Sequence, residues 1–165
     1  MSCASGSASG PKTVVVGLGN WLMSDEGVGV HVIEALRTRC TDNSVAFVDG
    51  GTSPDALLAA AAAERLVVVD AARAGGEAGS IYRFLGEDIE GGLAGVSLHD
   101  WTAADGLRAL ALLGKAPRST VVIGIEPQKI EWGTELSGPV KGKVPAVVEL
   151  VLQELGDNEL SGRNE

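Results

Sequence analysis

Apolar and polar positions follow two periods along this chain. Thr13 to Val16 form a β-branched run, the composition of a strand buried on both faces, and Gly17 and Gly19 mark its end. Val28, Val32, Ile33, Leu36 and Cys40 then recur at helical spacing with Glu34, Arg37 and Arg39 turned away, which predicts an amphipathic helix over about 26–40. Val45 to Val48 read as a short strand ending in Asp49-Gly50-Gly51-Thr52. Ser53 followed by Pro54 is a helix start, and an alanine-rich helix is expected to about Glu64. Leu66 to Val69 are another buried strand, ending at Asp70, and Ser80 to Leu85 alternate as a strand with one exposed face. Gly86 to Gly95 read as an acidic, glycine-rich surface loop. A helix over about 99–113, with Leu107, Leu110, Ala111 and Leu113 on its apolar side, precedes a last strand from Thr120 to Ile125. Pro139 to Leu155 supply the final helix, with Val144, Val147, Val148, Val151, Leu152 and Leu155 toward the core.

Strands alternating with helices predict an α/β fold, a three-layer sandwich with a mostly parallel sheet and right-handed crossovers. The expected organisation is one α/β domain over 12–155 between flexible tails at 1–11 and 156–165. In such sheets ligands bind beyond the carboxyl ends of the strands, where strand order reverses.

Apolar residues make up 45% of the 165 positions but aromatics only 4%, so the core is built from Val, Leu, Ile and Ala. The net charge of -9, from 22 acidic against 13 basic residues, argues against nucleic acid and anionic membranes as partners, because affinity for either rests on positive charge. The longest apolar run, Ala56 to Ala63, is far short of a membrane span. The N-terminal stretch lacks the charged and apolar regions of a signal peptide, and Cys3 and Cys40 have no CxxC neighbour; both features point to a cytoplasmic protein with reduced thiols.

The stretch after the first strand invites comparison with the dinucleotide fingerprint G-x-G-x-x-G. Gly17 and Gly19 fill the first two glycine positions, but the third is Leu22, and Asp25 and Glu26 lie where a pyrophosphate would sit. Two carboxylates repel phosphate and attract cations. In parallel strands Asp49, Asp70 and Glu126 end at the same sheet edge that the first strand's loop delivers Asp25 and Glu26 to. Like charges so gathered raise one another's cost of ionisation, and a metal ion is the simplest compensator. His99 begins a helix at that edge, whereas His31 stands about 140° from Glu26 on its helix and reads as an ordinary helix histidine. Glu26, Asp70 and His99 form a mixed carboxylate and imidazole set suited to Ni, Zn, Fe or Mn. Helix capping is the alternative reading of the acids, with Ser24 as N-cap and Asp25 and Glu26 in a first turn.

Taken in order, Gly17-Leu18-Gly19-Asn20, Asp25-Glu26-Gly27-Val28-Gly29, Asp49-Gly50-Gly51-Thr52, Val67-Val68-Val69-Asp70-Ala71, Ser97-Leu98-His99 and Gly124-Ile125-Glu126-Pro127 resemble the hydrogenase maturation endopeptidases, from about Lys12 to Leu155. The resemblance implies a cytoplasmic protease of aspartic type that removes the C-terminal extension of a [NiFe]-hydrogenase large-subunit precursor after nickel insertion. It assigns the metal ligands to Glu26, Asp70 and His99, and makes Asp49 a supporting or catalytic acid; Asp25 is a second candidate base. The nickel would come with the precursor, with Zn or Cd able to substitute in a crystal. The implied sheet has five strands in the order 2-1-3-5-4 with the fourth antiparallel. Trp21, at a commonly aliphatic position, and Asp100-Trp101 after His99 depart from the pattern and suggest substrate matching or packing differences, not loss of function. A non-proteolytic nickel chaperone of the same fold and a nucleotide-dependent enzyme are the rival expectations. The first differs in leaving the precursor's mass unchanged, the second in being protected by NAD or ATP.

Overall fold

A computed structural model describes residues 10–90 and 102–161. Five strands, β1 (Thr13–Leu18), β2 (Val45–Gly51), β3 (Arg65–Ala71), β4 (Ile81–Leu85) and β5 (Ser119–Ile125), form one sheet in the order β2-β1-β3-β5-β4. All neighbours are parallel except β4, which runs antiparallel to β5. The valine-rich runs occupy the middle of the sheet, and every residue of β1 is buried, as two covered faces require.

The covering layers follow from side-chain alternation. Val15, Val67, Val69 and Ile123 pack against α1 (Val28–Arg39) and α5 (Val144–Ser161). Val14, Val16, Leu66 and Val68 pack against a 3-10 segment (Pro54–Ala60), α2 (Gly86–Glu90) and α3 (Thr102–Leu112). A second 3-10 turn (Ser24–Gly27) leads from β1 into α1, and α4 (Gly138–Lys141) precedes α5.

Close approach of α1 to the sheet rests on Gly29. A Cβ there would stand 2.3 Å from the carbonyl oxygens of both Leu18 and Val69, so the helix is wedged against β1 and β3 at once. Gly17 faces it, its own Cβ position lying 2.2 Å from the Gly29 carbonyl oxygen. The contact that Leu22 cannot provide in the dinucleotide pattern is therefore made further along the helix.

Several elements differ from the expectation. The alanine-rich helix is a 3-10 segment ending at Ala60, because Leu57 and Ala60, three residues apart, are the pair it buries, which matches three residues per turn. Gly86–Glu90, expected as loop, is helical and pinned by the fully buried Ile89. Leu113 and Ala111 are exposed, not core, because Gly114, at φ +64, ends α3. The final helix is interrupted after Lys141 and restarts at Val144, with Pro145 in its first turn where no amide is needed, and its backbone stays helical past 155 to Ser161. Ser97, His99, Asp100 and Trp101, with residues 1–9 and 162–165 of the expected tails, lie outside the described residues. No helix among the described residues is long and apolar enough to cross a membrane.

Candidate functional site

From β1 the chain passes to β2 on one side and then to β3 on the other, so the strand order reverses between β1 and β3. That is where a crevice opens beyond the carboxyl ends in sheets of this type. Glu26 lies in the turn that follows β1, and Asp70 is the penultimate residue of β3, so the two flank the reversal point. Gly19 makes the approach possible. Its φ is +124°, and a Cβ there would stand 1.7 Å from the Glu26 carbonyl oxygen, so no other residue lets the loop fold back this tightly.

Asp70 is buried at 6% exposure, while Glu26 is half-buried. Burial pushes the Asp70 carboxyl up to about 8; the Ala71 amide pulls it down, and the neighbouring Glu26 charge pushes it further up. At neutral pH this pair holds a proton where a cation would serve better. Alternation along β3 sets Asp70 with Leu66 and Val68, on the layer that contains α3.

The other acids of the expected cluster are differently occupied. Asp25 is fully buried, with Oδ2 accepting the amides of Gln128 (2.9 Å) and Lys129 (3.0 Å) and the Ser137 hydroxyl (2.8 Å), and Oδ1 accepting the Ser137 amide (2.7 Å). Burial alone would raise its pKa; the Lys129 and Ser137 amides, the Ser137 hydroxyl and the Gln128 amide outweigh that and hold it below the usual carboxylate range. Asp25 thus fastens the segment 128–137 to the Glu26 turn. The capping alternative also gives way: Ser24 sits at φ +49° and sends its hydroxyl to the Glu131 carbonyl (3.0 Å), away from the helix.

Glu126 is likewise buried, and its Oε2 accepts the Tyr82 hydroxyl (2.8 Å) and the Ala74 amide (2.8 Å), closing the loop between β3 and β4. Hydrogen-bond donors meet the carboxylates of Asp25 and Glu126. Asp49 is exposed at the end of β2, where its Oδ1 accepts the Gly51 amide (3.0 Å). It is in register with Gly17, which is itself in register with Val69, so Asp49 stands two strand spacings, roughly 10 Å, from the Asp70 side of the crevice. Alternation groups it with Val45 and Phe47 on the α1 layer, the face opposite Asp70.

Glu26 and Asp70 are thus the acids that the fold brings together. Among the described residues no three His, Cys, Asp or Glu side chains are gathered closely enough to hold a metal ion. The pair offers oxygen donors to a divalent ion once Asp70 gives up its proton, and in sequence His99 stands three residues before the start of α3. His31 is on the α1 surface, its imidazole stacked on the Trp21 ring with centroids 4.1 Å apart and planes 15° from parallel. Burial lowers its pKa, the Thr134 backbone and Glu135 raise it, and Lys141 lowers it further, with a net downward result.

The model of the family described as hydrogenase maturation protease matches residues 30–154. The chain belongs to that family. This maturation protease is 34% identical over 151 residues to the hydrogenase expression/formation protein HupD of Rhizobium leguminosarum bv. viciae, covering 88% of this chain and 74% of that one. Its fold is similar to that of the hydrogenase maturating endopeptidase HybD from E. coli, with a TM-score of 0.78, 27% identity and coverage of 89% and 93% of the two chains. The [NiFe] hydrogenase maturation protease HybD from Thermococcus kodakarensis is 30% identical with a TM-score of 0.71, covering 86% of this chain and 97% of the other. The protein is accordingly a peptide hydrolase of hydrogenase maturation, with the strand order that the residue motifs imply.

Proposed function

We propose that this maturation protease removes the C-terminal extension of a [NiFe]-hydrogenase large-subunit precursor once nickel has been inserted, in the cytoplasm. On this reading Glu26, Asp70 and His99 recognise the nickel that the precursor carries. The supporting observation is the Glu26–Asp70 pair: one half-buried and one buried carboxylate at the strand-order reversal, the buried one pushed toward its protonated form by burial and by the charge of its neighbour.

Bound nickel would supply Lewis acidity toward the scissile carbonyl. Asp70 gives up its proton as the metal arrives, and Glu26 offers a second carboxylate from the turn after β1. Asp49, exposed at the carboxyl end of β2 though on the sheet face opposite Asp70, is the candidate base. It takes a proton from the attacking water, the carbonyl carbon gains the hydroxyl, the C–N bond breaks, and the proton passes to the leaving amine. Asp25, with its oxygens already taken by four hydrogen bonds, acts by holding the segment 128–137 in place.

Intact-mass spectrometry of the precursor incubated with this protein tests the reading. Nickel-loaded precursor loses one defined C-terminal mass and metal-free precursor does not. An unchanged mass in both preparations, with metal nonetheless retained by this protein, would favour a chaperone.

A further inference from the structure

We infer that the paired segments 20–24 and 128–135 form an aromatic platform that docks an apolar, basic stretch of the precursor beside the Glu26–Asp70 crevice. This rests on the reading of the precursor as substrate and extends it to a second contact, away from the reacting bond.

Half of the eight large hydrophobic residues exposed among the described residues lie on these two segments: Trp21 at 40%, Leu22 at 52%, Ile130 at 37% and Trp132 at 80% exposure. Exposed aromatic surface of this kind, borne by fixed backbone, is the usual composition of a protein contact and not of a solvated loop.

The backbone under it is fixed. The Ser24 amide donates to the Gly133 carbonyl (2.8 Å), the Gly133 amide to the Leu22 carbonyl (2.9 Å) and the Asp25 amide to the Lys129 carbonyl (3.3 Å). The Ser24 hydroxyl and the Asp25 carboxylate add the bonds described above. Stacking on His31 braces the Trp21 ring from below. Since Asp25 and Glu26 are consecutive, the platform keeps a set position relative to the metal-reading pair.

Charge identifies the occupant. Leaving aside the buried Asp25, the carboxylates of residues 20–26 and 128–135, Glu26, Glu131 and Glu135, outnumber the lysines that meet them, Lys129 at 2.9 Å from Glu131 and Lys141 at 3.9 Å from Glu135. An acidic partner is repelled there. An apolar stretch carrying Arg or Lys gains both aromatic contact and cation–π attraction from the two tryptophans.

The test compares wild type, Trp132→Ala and Trp132→Phe in binding to nickel-loaded and metal-free large-subunit precursor, followed by single-turnover cleavage at saturation. Trp132→Ala is expected to weaken binding at least tenfold in both preparations, Trp132→Phe to recover most of it, and the saturated cleavage rate to stay within twofold. Raised salt should weaken wild-type binding. Equal affinity of all three proteins for the precursor would overturn the platform while leaving the proteolytic reading intact. Loss of binding in Trp132→Ala with no cleavage by wild type would support the platform and overturn the proteolytic reading. Altered self-association of Trp132→Ala in sedimentation, with precursor binding unchanged, would assign the surface to a second copy and overturn the proposal.

Discussion

Glu26 and Asp70, delivered by different strands, lie close enough that the charge of one raises the cost of ionising the other. Because Asp70 titrates near 8 when folded and near 3.8 when unfolded, the native chain binds the extra proton between those values. Stability conferred by the protonated form is therefore full below pH 4 and is lost as pH rises through 8, at a slope approaching about 1.4 kcal/mol per pH unit. Asp70→Asn should flatten that slope and stabilise the metal-free protein at pH 8, with little effect near pH 4. Denaturant titrations at several pH values read this directly, and an unchanged slope would contradict it.

The same pair predicts metal linkage. On the proposed reading a divalent ion ligated by Asp70 below pH 8 would displace about one proton, so apparent nickel affinity should rise toward tenfold per pH unit. Calorimetry in buffers of different ionisation enthalpy counts the proton. Glu26→Gln should lower the Asp70 pKa, visible in a carbon-detected NMR titration of its carboxyl.

Asp25→Asn replaces an acceptor with an amide that must face N–H and O–H donors. A loss of about 1–3 kcal/mol is expected from the donors left unpaired. Hydrogen exchange should quicken at the Lys129 and Ser137 amides while those of β1 keep their protection, a local pattern that general destabilisation would not give.

Gly29→Ala forces a methyl group against two backbone carbonyls that cannot move independently. Overpacking of this kind costs about 1–3 kcal/mol or more. The midpoint of thermal unfolding should fall, and a variant as stable as wild type would show that α1 sits further from the sheet.

On the opposite end of the sheet, Glu154 of α5 accepts from Arg65 at the start of β3 and from Arg83 of β4, and both Glu154 and Arg65 are more than nine-tenths buried. Glu154→Ala leaves the Arg65 guanidinium buried without its carboxylate, a change that typically costs about 3–5 kcal/mol. Chemical denaturation measures it.

Much of this arrangement was legible in the chain because local rules dictate it. The valine runs and helical periods of α1, α3 and α5 announce elements whose burial is set within a turn or two of sequence. The fates of Asp25 and Glu126 were not legible. Strand-end position gathers both at one edge, but their partners, Ser137 and Tyr82, lie 112 and 44 residues away and carry no local signal. Their strand-edge positions suggest a cation site, with Asp25 also a candidate base, and in the fold both acids hold loops through these bonds. Asp70 differs only in what surrounds it: a strand interior and another acid. The 3-10 segment at Pro54–Ala60 escaped for a similar reason, since alanine suits either helix and the choice falls to the spacing of Leu57 and Ala60 against the sheet.

The most direct measurement is the single-turnover rate at which Asp70→Asn processes nickel-loaded large-subunit precursor. That variant removes the charged oxygen proposed to meet the nickel while relieving, not creating, strain in the fold. The account predicts a loss of at least about 10- to 100-fold, the scale of weakened metal coordination, in a protein no less stable than wild type. Cleavage at the wild-type rate would show that nickel is not read by this carboxylate.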